Sequence, residues 1–241
     1  MVDSHCHLDL MDDVKRIAES CQLAMIGLFA VGTTPKAYAK EKEIWHHHSN
    51  IKVGLGMHPQ LIGSGYDDIE LFSMLAKESR YIGEVGLDFS KEYLGTKEAQ
   101  ILSFERVVKS CETYGNKVIS VHALKSAVTV LQIIEEYRQC KENIYILHWF
   151  TGSLTQLEKA LNLGCYFSIN PKMTKTKSGQ EIIKFIPENR ILIETDAPFA
   201  FKYSDINQLK VLIEKTIYDI SVIKNYDVRT AIEDTENRVF L

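Results

Sequence analysis

The sequence predicts a (β/α)8 TIM-type barrel, and three observations carry that prediction. Short runs rich in β-branched and aromatic residues alternate with longer helical patterns from one end of the chain to the other, in units of about 30 residues. The length of 241 residues is what eight such units need. No Gly/Ser-rich or Pro-rich linker interrupts the alternation, so residues 1–241 read as one domain. A doubly wound open sheet is the fallback for the same alternation.

Taken in order, run 1 covers residues 2–5 and precedes a helical pattern over 12–21. Run 2 covers 23–32 and leads into a helix over 34–48; run 3 covers 51–57 and leads into 67–79. Runs 4 and 5, at 81–87 and 117–121, are followed by helical patterns over 96–114 and 125–139. Run 6, at 144–148, precedes a helix over 153–163 in which Leu154, Leu157 and Leu161 form the clearest apolar stripe. Runs 7 and 8 lie at 165–169 and 190–195, with a solvated lysine-rich loop over 172–177 between them. Helices over 204–223 and 227–240, each opened by a Ser or Asp N-cap, complete the chain.

The charge sum of 28 basic against 32 acidic residues gives −4, which excludes a broad basic surface for nucleic acid. A polyanionic substrate would need local positive charge such as a bound metal. Five scattered cysteines without a C-x-x-C pair read as free thiols in a reducing cytosol. The first residues hold no basic leader pattern, and the longest apolar stretch, 23–31, is far short of the roughly 20 residues a membrane helix needs. The expectation is a cytoplasmic protein without a membrane partner.

Chemistry-bearing residues gather at one end of the runs. His5 and His7 follow run 1, His58 follows run 3, and Glu84 and Asp88 close run 4, while His122, His148 and Asp196 end runs 5, 6 and 8. In a parallel barrel these ends converge on one mouth. His5-x-His7 on an extended segment sends both imidazoles to one side, where two neutral nitrogens can grip a divalent cation. Carboxylates buried at the mouth must be paired or metal-bound. His5, His7, Glu84, His122, His148 and Asp196 exceed the needs of one tetrahedral site, whereas two divalent ions sharing Glu84 as a bridge use all six. These donors accept Zn, Mn, Mg or Ni.

Other features read more plainly. His46, His47 and His48 suit a solvated face or helix cap, and Gly54-x-Gly56 and Gly83-x-x-Gly86 suit close packing at strand ends. Trp149 and Phe150 either stack on a base at the mouth or fill the core, and Lys172, Lys175 and Lys177 lie on the mouth side, in a position to touch phosphate.

The chain resembles the TatD family of metal-dependent deoxyribonucleases nearly end to end. Six ordered motifs carry the resemblance: Val2-Asp3-Ser4-His5-Cys6-His7-Leu8-Asp9, Gly54-Leu55-Gly56-Met57-His58-Pro59, Gly83-Glu84-Val85-Gly86-Leu87-Asp88, Val121-His122, Leu147-His148-Trp149-Phe150-Thr151-Gly152-Ser153 and Glu194-Thr195-Asp196-Ala197-Pro198-Phe199. The resemblance implies one metal on His5, His7, Glu84 and Asp196 and a second on Glu84, His122 and His148. Two departures bear on substrate gripping. Ala123-Leu124-Lys125 stands where the family usually has an Arg, and Phe199-Ala200-Phe201-Lys202 replaces the usual Arg-Asn-Glu-Pro segment. The shortened form is similar to the TatD-like member of the Qat anti-phage defence system, which implies a bacterial role beside an ATPase and a QueC-like protein.

The implied reaction is hydrolysis of a DNA phosphodiester at single-stranded or frayed ends. Asp196 is the expected general base and Glu84 the bridging catalytic carboxylate, with His58 or Lys125 on a phosphate oxygen or the neighbouring nucleotide. The alternatives are a small-molecule amidohydrolase acting on a lactone, cyclic amide or phosphotriester, and a non-catalytic, metal-stabilised subunit of a defence assembly. Many such amidohydrolases bridge their metals through a carbamylated Lys on the fourth strand, so Glu84 there favours phosphodiester chemistry.

Overall fold

Strands covered on both faces read as near-continuous apolar runs, and those runs form a parallel ring. In a computed structural model that describes residues 1–240, the strands are β1 (Val2–Cys6), β2 (Gly27–Val31), β3 (Ile51–Met57), β4 (Tyr81–Asp88), β5 (Val118–Leu124), β6 (Ile144–His148), β7 (Tyr166–Ile169) and β8 (Ile191–Ile193). Each pairs in parallel with the next. The helices are α1 (Val14–Leu23), α2 (Pro35–Trp45), α3 (Ile69–Ala76), α4 (Lys97–Tyr114), α5 (Ala127–Tyr137), α6 (Leu154–Asn162), α7 (Lys177–Phe185), α8 (Ile206–Lys224) and α9 (Arg229–Phe240). This is the expected (β/α)8 barrel, with α9 added beyond the eighth unit.

The ring closes between β8 and β1 through a seam of individual hydrogen bonds. The Asp196 N–H donates to the His5 carbonyl at 2.9 Å and the His7 N–H to the Ala197 carbonyl at 2.8 Å. Below them the Ser4 hydroxyl donates to the Ile193 carbonyl at 2.7 Å. The buried Asp3 carboxylate accepts from the Thr195 N–H at 3.0 Å and from its hydroxyl at 2.6 Å. The Glu194 N–H still bonds to the Ile169 carbonyl at 3.2 Å, but Thr195 and Asp196 turn to β1, and β8 is shorter than the expected 190–195.

Along the strands, side chains two residues apart share a face, so chemistry changes in steps of two. At the foot of the barrel, Val2, Phe29, Val118, Ile146, Tyr166 and Leu192 form an apolar cluster with Phe240 of α9 as its plug. One step up come Ser120, Ser168 and Glu194, all fully buried. One step further come His122 and Asp196, at the mouth beside His148. The foot supplies apolar burial and the mouth supplies donors, as in other barrels of this architecture.

Two expectations fail for identifiable reasons. The apolar stretch 23–31 is not all strand. α1 runs on to Leu23, Met25 adopts φ +55°, and both side chains point to solvent at 87% and 86% exposure. Between β7 and β8 the loop expected over 172–177 gives way to a helix at its end. Thr176 caps α7 by accepting the Gly179 N–H at 3.1 Å, and Ile182 and Ile183 are its buried anchors. The nine residues are strongly amphipathic, so the helical signal was present in the sequence. Elsewhere the glycine reading fits: a Cβ on Gly56 would meet the Gly32 carbonyl oxygen at 1.9 Å.

Candidate active site

Glu84 reaches the mouth from β4 and is surrounded by imidazoles. Gly86, at φ +139°, lets β4 approach β5, since a Cβ there would lie 2.1 Å from the His122 carbonyl oxygen. Glu84 Oε2 is 3.4 Å from His5 Nε2, 3.1 Å from His7 Nε2 and 3.2 Å from His58 Nε2. Oε1 is 2.7 Å from His122 Nδ1 and 2.9 Å from His148 Nε2. Asp196 Oδ1 lies 3.8 Å from both His5 Nε2 and His7 Nε2. The structure thus brings together His5, His7, Glu84, His122, His148 and Asp196, with His58 beside them.

Outer hydrogen bonds fix which nitrogen His5 and His122 present, while His148 faces a carboxylate beyond hydrogen-bond distance. His5 Nδ1 meets the Ser120 hydroxyl at 2.7 Å, His122 Nε2 meets Asp88 Oδ2 at 3.2 Å, and His148 Nδ1 faces Glu194 Oε1 at 3.6 Å. Asp88 is itself held by the Gln60 side-chain amide and the Ser90 N–H, both at 2.8 Å. The second oxygen of Glu194 accepts from the Ser168 hydroxyl. His58 differs: its Nδ1 accepts the Gln60 N–H at 3.2 Å, so the proton sits on Nε2 and the ring offers a donor. His58, Glu84 and His122 have ligand atoms within 4.8 Å of one another, yet that tautomer makes His58 a poor ligand and a good contact for a phosphate oxygen.

Charge follows from these contacts. Burial opposes ionisation of Glu84, but the surrounding imidazoles of His58, His148 and His5 outweigh it and hold the carboxyl well below its usual range. Burial pushes His5 well down. Burial also works against protonation of His148, yet the carboxylates of Glu84 and Glu194 prevail and raise it well above an ordinary histidine. His122 is raised likewise by Asp88 and Glu84 against the effect of burial. Burial lifts Asp196 to about 7.

These residues fit a divalent metal. His5 Nε2 is buried without a hydrogen-bond partner and faces Glu84 and Asp196, an arrangement that suits a cation. His122 Nδ1 and His148 Nε2 stand 3.2 Å apart, both turned to one carboxylate oxygen, as two ligands of a shared ion do. His5, His7 and Asp196 also form a set with ligand atoms within 4.8 Å of one another.

The cluster floors a cavity of about 580 Å³ whose walls include Leu10, Leu61, Leu124, Trp149 and Phe199, and neither Lys nor Arg lines it. From the segment after His122 the cavity takes Ala123 and Leu124, while Lys125 sits on an exposed turn at φ +56° outside the lining. Phe150 is core, packed edge-on against Phe167, whereas Trp149 is half-buried at the mouth. Sequence reasoning missed the roles of Ser120, Asp88 and Glu194. The available signal was alternation, since each stands two or four residues from a mouth residue on the same extended segment.

A family model described as TatD-related DNase matches residues 2–240. A metal-dependent hydrolase of Buchnera aphidicola is 28% identical over 98% of this chain and 94% of its own length. The human deoxyribonuclease TATDN3 is 26% identical, covering 98% of this chain and 91% of its own. Among solved structures, the TatD homologue YjjV of Escherichia coli superposes with a TM-score of 0.82 at 18% identity, over 100% of this chain and 97% of that one, which supports the shared fold.

Proposed function

The chain belongs to the TatD-related DNase family, and from that premise we propose that this hydrolase is a metal-dependent phosphodiesterase trimming DNA from single-stranded or frayed ends. The observation that carries the reading is a single buried carboxylate, Glu84, within 3.4 Å of five imidazole nitrogens. His5, His7, Glu84 and Asp196 would hold one divalent ion and Glu84, His122 and His148 a second. Such ions supply Lewis-acid charge at the scissile phosphate and ease ionisation of the attacking water. Asp196, at the edge of the cluster and lining the cavity, would accept that water's proton as general base. His58 would donate a hydrogen bond from its Nε2–H to a non-bridging phosphate oxygen, and Lys125 would meet the strand outside the cavity. A recessed floor favours a strand end over the middle of a duplex.

The test is digestion of end-labelled single- and double-stranded DNA with Zn, Mn, Mg or Ni, beside bis-p-nitrophenyl phosphate and an aryl lactone. Progressive shortening from ends is expected. Hydrolysis of the lactone alone would overturn the reading in favour of a small-molecule amidohydrolase, and inactivity on all substrates in favour of a non-catalytic subunit.

Within the family, the reading extends to a Qat-type anti-phage role in the bacterial cytoplasm. Its support is the short link after Asp196, where α8 begins at Ile206. Co-purification with the ATPase and the QueC-like protein is the expected result, and absence of either from the purified complex counts against it.

A further inference from the structure

We infer that Trp149, Lys172 and Phe199 form a nucleotide subsite at the lip of the cavity, in which Trp149 stacks on the base beside the scissile phosphate and Lys172 binds that nucleotide's outer phosphate. The inference rests on the phosphodiesterase reading and names what its site recognises.

Trp149 and Phe199 both line the cavity whose floor holds Glu84 and Asp196, so a base on them lies beside the reacting centre. Phe199 is 64% exposed at the rim of the cavity, and its ring meets His7 edge-on at 5.0 Å. Trp149 is held at φ +38°, a sparsely populated conformation for a bulky residue, with its N–H bonded to the Ser168 carbonyl at 3.3 Å. Backbone held in such a conformation beside a reaction centre marks a side chain whose direction matters.

Lys172 completes the lip. Its Nζ lies 5.3 Å from the Trp149 ring centroid and 5.7 Å from that of Phe201. Its neighbour Lys175 is bound to Asp219, whereas Lys172 has no carboxylate partner among the described residues. An exposed cation held against aromatic faces, beside a cavity lined by neither Lys nor Arg, is free to take a phosphate. The apolar walls leave stacking as the remaining source of affinity, and a cavity of about 580 Å³ accommodates one nucleotide. Every base has a π face, so the subsite tolerates any sequence.

The experiment uses fluorescence, because the chain has two tryptophans and Trp45 is buried on α2. In a metal-loaded Trp45→Phe protein, thymidine 3′,5′-bisphosphate and thymidine 5′-monophosphate should quench Trp149. Deoxyribose 5-phosphate, followed by competition, should bind about tenfold more weakly than the monophosphate. Lys172→Gln should abolish the preference for the bisphosphate and reduce the salt slope of its binding by about 0.7. On single-stranded DNA, Trp149→Ala should raise KM about tenfold with kcat unchanged, and Trp149→Phe should restore most of the loss. If the protein hydrolyses DNA but binds the base-bearing and base-free phosphates equally without quenching, the subsite is wrong and the phosphodiesterase reading stands. Quenching with the stated preferences, without DNA hydrolysis, upholds the subsite and overturns that reading.

Discussion

The two sides of the mouth use the same residue types and tune them in opposite directions. On the β5 and β6 side, a carboxylate stands behind each histidine, Asp88 behind His122 and Glu194 behind His148, and both rings are raised above ordinary histidine. On the β1 and β8 side, His5 has the neutral Ser120 hydroxyl behind it and is driven well down by burial. That side gains its negative charge directly, from Asp196. The lesson is that basicity can be supplied to a ligand set from behind, through a second carboxylate, or from within, by making the carboxylate itself a ligand.

The largest effect should come from the residue that both sides share. Glu84→Ala removes the central carboxylate and should lower the rate about 10³-fold, the equivalent of several kcal/mol of charge stabilisation, while metal content falls on both sides. Elemental analysis beside kinetics checks this, and wild-type metal content with half the rate retained would refute the bridging role.

Glu194→Gln and Asp88→Asn should each weaken metal affinity about 10- to 100-fold, confined to the His122 and His148 side. Competition with a chelator at limiting metal would show one tight equivalent left and one lost. Loss of both equivalents together would break the distinction between the sides.

The pH dependence has a definite sign. Asp196 in the metal-free protein is lifted to about 7, and a cation needs it ionised. Affinity on the β1 and β8 side should therefore fall about tenfold from pH 8 to pH 6, against little change for a carboxylate of ordinary pKa. Calorimetry in buffers of different ionisation heat would count the proton released. The smallest effect is expected from Ser120→Ala, which deprives His5 of a neutral partner and should change metal affinity only severalfold.

Much of this was legible in the sequence because the barrel ties function to position. Apolar runs marked the eight strands, and His, Glu and Asp at their C-terminal ends marked the mouth. What could not be read depends on direction rather than identity. Leu23 and Met25 are as apolar as Leu28, and only the capped end of α1 turns them to solvent. Glu194 and Ser120 are unremarkable residues until β8 and β5 set them one step below Asp196 and His122. The tautomer of His58 depends on a backbone N–H two residues away, which no spacing rule reports.

The seam between β8 and β1 also sets when the protein becomes competent as it is made. Asp3 and Thr195, which close it, are 192 positions apart, so the first strand to leave the ribosome waits for the last. Until then His5 and His7 are present without Asp196, and the foot of the ring lacks Phe240 of α9. A truncated or stalled chain therefore carries most of the candidate metal ligands but no finished site. Coupling the active centre to ring closure makes completeness of synthesis a condition of hydrolysis.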